Sequence, residues 1–225
     1  MLAAASRYGV PVLITSSSEV YGKRNTTPFR EDDDLVLGNP RIARWSYACS
    51  KVLDEFLAIA YCRERSLPII IVRLFNTAGA RQTGRYGMVL PRFVRQALTG
   101  EPLTVYGDGS QRRTFCHVED VVGVIARLFR EPAAIGRIFN LGGDEEITID
   151  ELARRVKTVA ASDSRIVHIP YAEAWDDQFE DMHRRRPDLS ALRSLVGFEP
   201  EFSLENIITD VIRFEETAAE GAKSG

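Results

Sequence analysis

The chain is poor in cysteine and histidine and has no long apolar run, and each shortage removes a class of function. Its three cysteines, Cys49, Cys62 and Cys116, are an odd number without metal spacing, so reduced thiols in a cytoplasm are expected rather than a disulfide framework. Cys49 is expected to pack, since nothing in the sequence around it depresses a thiol pKa. His117, His168 and His183 lie far apart without ligand spacing; structural or surface roles and no metal are expected. No stretch approaches membrane-spanning length, and MLAAASRYG lacks the pattern of a signal peptide, reading instead as the tail of an amphipathic helix. Neither sign of charge dominates: 29 Lys and Arg against 32 Asp and Glu give a net charge of −3, which argues against general nucleic-acid binding. There is no internal repeat. Glycine is also missing where it would matter most. A phosphate-cradling loop needs closely spaced glycines between a strand and a helix, and Gly107-Asp108-Gly109 and the stretch from Gly84 to Gly87 have neither the preceding strand nor the spacing.

What is present is enough for a core: 225 residues with 44% hydrophobic content. Val10 to Thr15 (VPVLIT) is a β-branched apolar run, expected as a strand buried on both faces in a parallel sheet. Ser16-Ser17-Ser18-Glu19 follows at once, where a doubly wound sheet places its ligand crevice. From Ser50 to Glu64, Val52, Leu53, Phe56, Leu57, Ile59 and Ala60 recur at helical spacing. Tyr47 and Lys51 therefore lie one turn apart on one helix face. An ammonium beside a phenol favours the phenolate, which gives Tyr47 the character of a base. Ser17 is expected to bond the tyrosine and a substrate hydroxyl, with Ser18 and Glu19 facing the next sugar carbon. A lone Tyr-x-x-x-Lys is common by chance. A serine-rich loop alone, however, would not explain a glutamate followed by Val20-Tyr21-Gly22. A hydroxyl, a carboxylate, a phenol and an ammonium together suit oxidation of a sugar alcohol, with Tyr47 taking the proton as hydride leaves.

Along the rest of the chain, Thr26 to Pro40 reads as a polar loop whose acidic run, Glu31 to Asp34, is expected to be solvated. Pro68 to Phe75 is a second buried strand, ending at Asn76. Pro91 to Leu98 is a helix stopped by Gly100, and Val118 to Arg130 another, with Glu119 and Asp120 favoured in its first turn. Ile138 to Leu141 is a strand, and Ile149 to Ala161 a helix capped by Thr148. Arg165 to Pro170 is a short strand, while Pro187 to Leu195 and Leu204 to Ala219 are helices, before a frayed AAEGAKSG tail. Trp45 and Trp175 are expected in packing. This order predicts an α/β fold: the C-terminal half of a doubly wound, Rossmann-type parallel sheet plus a small α/β substrate-binding domain. The expected division is residues 1–145, with substrate loops near 76–115, and residues 146–225.

SSSEVYG, YACSK, RLFNTAGARQTG (Arg73 to Gly84), LTVYGDGSQRRTFCHVEDV (Leu103 to Val121) and RRRPDLSALRSLVGFEP (Arg184 to Pro200) occur in that order. Together they resemble the motifs of the NAD-dependent nucleotide-sugar epimerase/dehydratase family, within the extended short-chain dehydrogenase/reductases, over nearly the whole chain. The resemblance implies NAD as cofactor, met by Ser16, Tyr47, Lys51 and Phe75, and a catalytic set of Ser17, Ser18, Glu19, Tyr47 and Lys51. It implies a UDP-linked nucleotide sugar held by Asn76, Arg92, Tyr106, Gln111, Arg113 and Arg185, and a homodimer formed through the helix that carries Tyr47. The implied reaction passes through a 4-keto sugar. Family dehydratases carry Asp-Glu where this chain has Ser18-Glu19, so 4,6-dehydration is not expected. Ser-Glu before Val-Tyr-Gly, with Arg44-Trp45-Ser46-Tyr47, is more similar to the UDP-glucuronate decarboxylases, in which an arginine aligned with Arg185 serves as proton donor. UDP-glucose 4-epimerase is the alternative, needing little beyond the tyrosine and serine. A catalytically inactive remnant that binds nucleotide sugar or a partner chain is a third reading. The family carries its glycine-rich loop ahead of the point matching Met1. An N-terminally truncated member is therefore expected, with weak NAD binding and an open apolar strand edge at VLIT.

Overall fold

Isoleucine and valine dominate two short segments, and these become neighbouring parallel strands joined by a long helix. The structure, a computed structural model, describes residues 1–84, 88–174 and 182–223. In chain order the first elements are α1 (Leu2–Tyr8), β1 (Val12–Ser17), a 3-10 turn (Ser18–Tyr21), α2 (Arg44–Arg65) and β2 (Ile69–Leu74). Next come β3 (Thr77–Ala78), α3 (Val89–Thr99), β4 (Leu103–Tyr106), β5 (Arg112–Thr114), β6 (Cys116–His117) and α4 (Val118–Phe129). The chain continues with β7 (Ile138–Leu141), β8 (Glu146–Thr148), α5 (Ile149–Val159), β9 (Ile166–Ile169), α6 (Tyr171–Ala174), α7 (Ser190–Val196) and α8 (Leu204–Lys223).

β1, β2 and β7 form a parallel sheet in that order, with Ile14 opposite Ile71 and Ile71 opposite Ile138. Strand alternation sends Val12, Ile14, Ile69 and Ile71 to one face, against Ala58 of α2 and Leu2 and Ala5 of α1. The other face carries Ile70, Val72, Phe139 and Leu141 against Val121, Val124 and Leu128 of α4 and Leu192 of α7. Helices on both sides of a parallel sheet are the doubly wound arrangement. Burying each large aliphatic side chain here contributes roughly 1.5–3 kcal/mol.

β1 departs from the expectation of burial on both faces. Leu13 is half-buried and Thr15 exposed, because β1 is the outer strand among the described residues. The helix layer on that side reaches Leu13 only at its margin.

A second core joins α3, β4, α5 and α8 through Leu90, Phe93, Leu103, Val105, Leu152 and Ile208. Two small sheets flank it: β4 pairs with β9 in parallel, and β5 with β8 antiparallel. The chain enters this core after β3, leaves it for α4 and β7, returns at β8 and leaves again for α7.

Several boundaries differ from the sequence pattern for local reasons. α2 starts at Arg44, ahead of its apolar stripe, with Trp45 and Ala48 already buried. α3 closes on Gly100 at φ 74°, and Thr148 caps α5 by accepting the Glu151 amide at 3.1 Å. α8 runs on to Lys223 where a frayed tail was expected, since alanine, glutamate and lysine are strong helix formers. The acidic run is not simply solvated: Glu31 Oε1 accepts the Asn140 amide at 2.8 Å, and Asp33 pairs with Arg24 at 2.7 Å. Both carboxylates satisfy donors that no strand partner reaches. Cys49 is exposed, contrary to its expected packing role, because it lies on the outer side of α2. Cys116 is buried, and burial first, then Asp120 and Asp144, push its thiol up to about 12. Trp45 packs as expected; Trp175 lies outside the described residues. No helix among the described residues is long and apolar enough to cross a membrane.

Candidate active site

β1 delivers Ser16 and Ser17 to the carboxyl end of the sheet, and the chain then turns tightly. Ser17 is extended (φ −144°) and its Oγ accepts the Glu19 amide at 3.2 Å, capping the short turn. The turn closes on Gly22 at φ 59°, where a Cβ would lie 2.1 Å from the Val36 carbonyl oxygen. Only glycine fits there. Ser18 points inward and is buried. Glu19 is presented between two arginines: Arg185 Nη1 lies 2.5 Å from one carboxylate oxygen, and Arg44 Nη2 lies 3.2 Å from both. Burial alone would raise its pKa, but the charges of Arg185, Arg44 and Arg113 outweigh it and hold the carboxyl below its ordinary range. Glu19 is thus an anion fixed by cations.

Tyr47 stands in the first turn of α2, half-exposed at 53%. One turn further on, the Lys51 ammonium donates to the Thr15 carbonyl at 3.0 Å and lies 3.5 Å from Asp54. That bond ties α2 to the end of β1. Ser16, expected at the cofactor, turns its hydroxyl inward to Glu55 of α2 at 2.5 Å. Phe75 is fully buried, with ring centroids 6.2 Å from Tyr21 and 6.4 Å from Phe29. Its side chain therefore supports the floor of the site.

Asn76 adopts φ 32° and its side-chain amide donates to the Thr114 carbonyl at 2.8 Å. Arg113 is buried, with Nη1 donating to the carbonyls of Arg112 and His183. Arg185 is drawn in beside it by its backbone amide, which donates to Arg112 at 3.2 Å. Of the three consecutive arginines, Arg184 is taken by a bidentate pair with Glu146 at 2.6 and 2.8 Å, and Arg185 faces Glu19. The Arg185 Nε is buried without a hydrogen-bond partner. A second group gathers apart from this one. The Arg92 guanidinium lies 4.3 Å over the Tyr106 ring, and Gln111 donates to the Tyr106 carbonyl at 3.1 Å and to the Tyr171 hydroxyl. Burial lowers the Arg92 pKa, partly offset by Tyr106.

The structure thus brings Ser17, Glu19, Arg113 and Arg185 together at the end of β1, beside the helix bearing Tyr47 and Lys51. Arg92, Tyr106 and Gln111 form their own cluster. The residue that sequence reasoning missed is Arg44. Its position one turn before Tyr47 was the available signal, since residues three or four apart share a helix face.

The family model described as the NAD dependent epimerase/dehydratase family matches residues 1–142, and the chain belongs to that family. Its curated relatives include the UDP-N-acetyl-alpha-D-glucosaminuronate decarboxylase of Bacillus cytotoxicus, 40% identical over 95% of this chain and 66% of the relative. The UDP-glucuronic acid decarboxylase 1 of Danio rerio is 38% identical over 95% of this chain and 49% of its own length. Among solved structures, a dTDP-glucose 4,6-dehydratase from Bacillus anthracis in complex with NAD superposes with a TM-score of 0.83 at 25% identity, covering 97% of this chain and 66% of the other. The chain therefore spans about half to two thirds of the length of these proteins.

The described residues fit one end of the family's cofactor. Tyr47 is exposed beyond the strand ends and Lys51 lies behind it, which suits a ribose and the reacting ring. β1 runs into a serine-glutamate turn and β2 into Asn76, so neither strand leads into a glycine-rich phosphate loop.

Proposed function

We propose that the chain carries the catalytic residues of a uronate decarboxylase acting on a UDP-linked sugar. The observation that carries this reading is the Glu19 cluster, in which three guanidiniums, those of Arg44, Arg113 and Arg185, act on one carboxylate. A 4-epimerase acting on a neutral sugar has no use for such an excess of positive charge beside the sugar. A substrate bearing its own carboxylate does. The decarboxylase names of both curated relatives support the same choice.

NAD, when bound, accepts hydride from the sugar C4 and later returns it. Tyr47 takes the C4 hydroxyl proton, with Ser17 sharing the hydrogen bond and Lys51 orienting the ribose. The resulting 4-keto acid loses carbon dioxide from C5, because the electron pair of the breaking bond is delocalised onto the ketone. Arg185, held by Glu19, returns the proton to C5, as the resemblance to the decarboxylases implies. Arg92, Tyr106 and Gln111 hold the nucleotide and its diphosphate, and Asn76 the sugar. The exposed Leu53, Phe56 and Leu57 of α2 support a homodimer through that helix, and the three free cysteines suit a cytoplasmic setting.

The experiment is incubation with NAD and either UDP-glucuronate or its N-acetylated amino-sugar counterpart, with analysis of products. A UDP-pentose and stoichiometric carbon dioxide are expected. A C4 epimer that retains its carboxylate would replace this reading with the epimerase one.

A further inference from the structure

One guanidinium reaches three separate segments of the chain. Arg73 lies on β2 opposite Ser16 on β1 and Asn140 on β7, so each strand carries a polar side chain in one row across the sheet. The Arg73 Nε and Nη2 grip both oxygens of Glu55 on α2 at 3.0 and 2.8 Å. Its Nη1 donates to the Tyr21 hydroxyl at 2.9 Å and to the Glu31 carbonyl at 3.0 Å. Tyr21 in turn donates to Asn140 at 2.7 Å, and Ser16 donates to Glu55. The pair is sealed, with side chains 3% and 4% exposed.

The two ends of this network are the two carriers of the chemistry. Glu55 follows Tyr47 and Lys51 at four-residue steps on α2, so it belongs to the helix face turned to β1. Tyr21 ends the turn that presents Ser17 and Glu19. An apolar cluster would press helix and turn onto the sheet equally well, because a buried ion pair adds little net stability over packed hydrocarbon. It would not set how far the helix slides or rotates. A planar fork whose Nε and Nη2 hold the helix while its Nη1 holds the turn and the loop does, since any slip leaves buried donors unpaired.

We propose that Arg73 is a positioning residue that fixes the Tyr47-bearing helix and the Ser17–Glu19 turn relative to one another. This rests on the reading that those residues share one reaction centre.

The test is amide hydrogen exchange on the 225-residue chain, comparing Arg73→Lys, Tyr21→Phe and Glu55→Gln with Val124→Ala, a core truncation on α4, all at matched global stability. Arg73→Lys is expected to speed exchange at least about tenfold in both residues 17–22 and 44–52, Tyr21→Phe only in the first stretch, Glu55→Gln only in the second, and Val124→Ala in neither. Exchange in Arg73→Lys that matches the Val124→Ala pattern would overturn the proposal. Should Arg73→Lys not fold, the separate effects of Tyr21→Phe and Glu55→Gln decide it in the same way. On UDP-glucuronate, Tyr21→Phe should lower kcat about tenfold or more with KM and calorimetric affinity for UDP unchanged. Absence of turnover in the parent chain as well would sink the decarboxylase reading, and the exchange pattern would still decide the positioning role.

Discussion

Two glutamate–arginine assemblies lie at the same end of the sheet, and they are built for different ends. The Glu55–Arg73 pair is closed: one carboxylate meets one guanidinium in a bidentate grip, and the remaining donors go to Tyr21 and Glu31. The Glu19 assembly is unbalanced, with three arginines acting on one carboxylate and a buried Arg185 Nε still without a partner. A closed pair is what a fold needs, because every buried polar atom is satisfied. A carboxylate ringed by three guanidiniums, with one buried guanidinium nitrogen unsatisfied, is a place where an anionic group would be met, which is why it reads as a site.

Breaking each assembly should separate the two roles. The largest effect is expected for Arg73→Met, which strands Glu55 in the interior and should cost about 3–5 kcal/mol of stability in chemical denaturation. Next is Tyr47→Phe, which should lower kcat on UDP-glucuronate roughly 10²-fold or more while leaving the thermal midpoint unchanged, since the ring is half-exposed. Arg185→Met should leave folding cooperative but reduce any preference for UDP-glucuronate over UDP-glucose by about tenfold, the scale of one charge-assisted contact.

The smallest effect is on acid stability, and there the signs oppose. Glu19 has a lowered pKa, so the stability it contributes is present above the ordinary carboxylate value and is lost as pH falls through its folded value. Glu31 has a raised pKa, chiefly from burial, so its contribution is present below that ordinary value and is lost as pH rises through its folded value. In urea titrations, Glu31→Gln should therefore gain on the parent as pH rises past the carboxylate range. Glu19→Gln should close on it as pH falls below that range.

The same contrast marks how much the sequence could reveal. The parallel strands, the helix after YACSK and the Thr148 cap are local: they follow from periodicity and capping chemistry. Glu19, Arg113 and Arg185 stand out in the sequence because they sit in short motifs, and the structure brings them near one another, while Arg44 carries no role in the sequence reading. The Glu55–Arg73 row was not legible. Its members come from segments up to 119 residues apart, and nothing near Glu55 distinguishes it from a surface glutamate on a long helix. Glu31 was misplaced for the same reason, since its carboxylate meets a backbone amide 109 residues away. Cys49 was put on the wrong side because its helix begins earlier than its apolar stripe.

The central claim, that the arginines around Glu19 favour a substrate that bears its own carboxylate, is tested most directly by calorimetric titration of the chain with UDP-glucuronate and with UDP-glucose. The account predicts at least about tenfold tighter binding of the uronate, a preference that fades with added salt as charge pairing does. Equal affinities for the two sugars would contradict it.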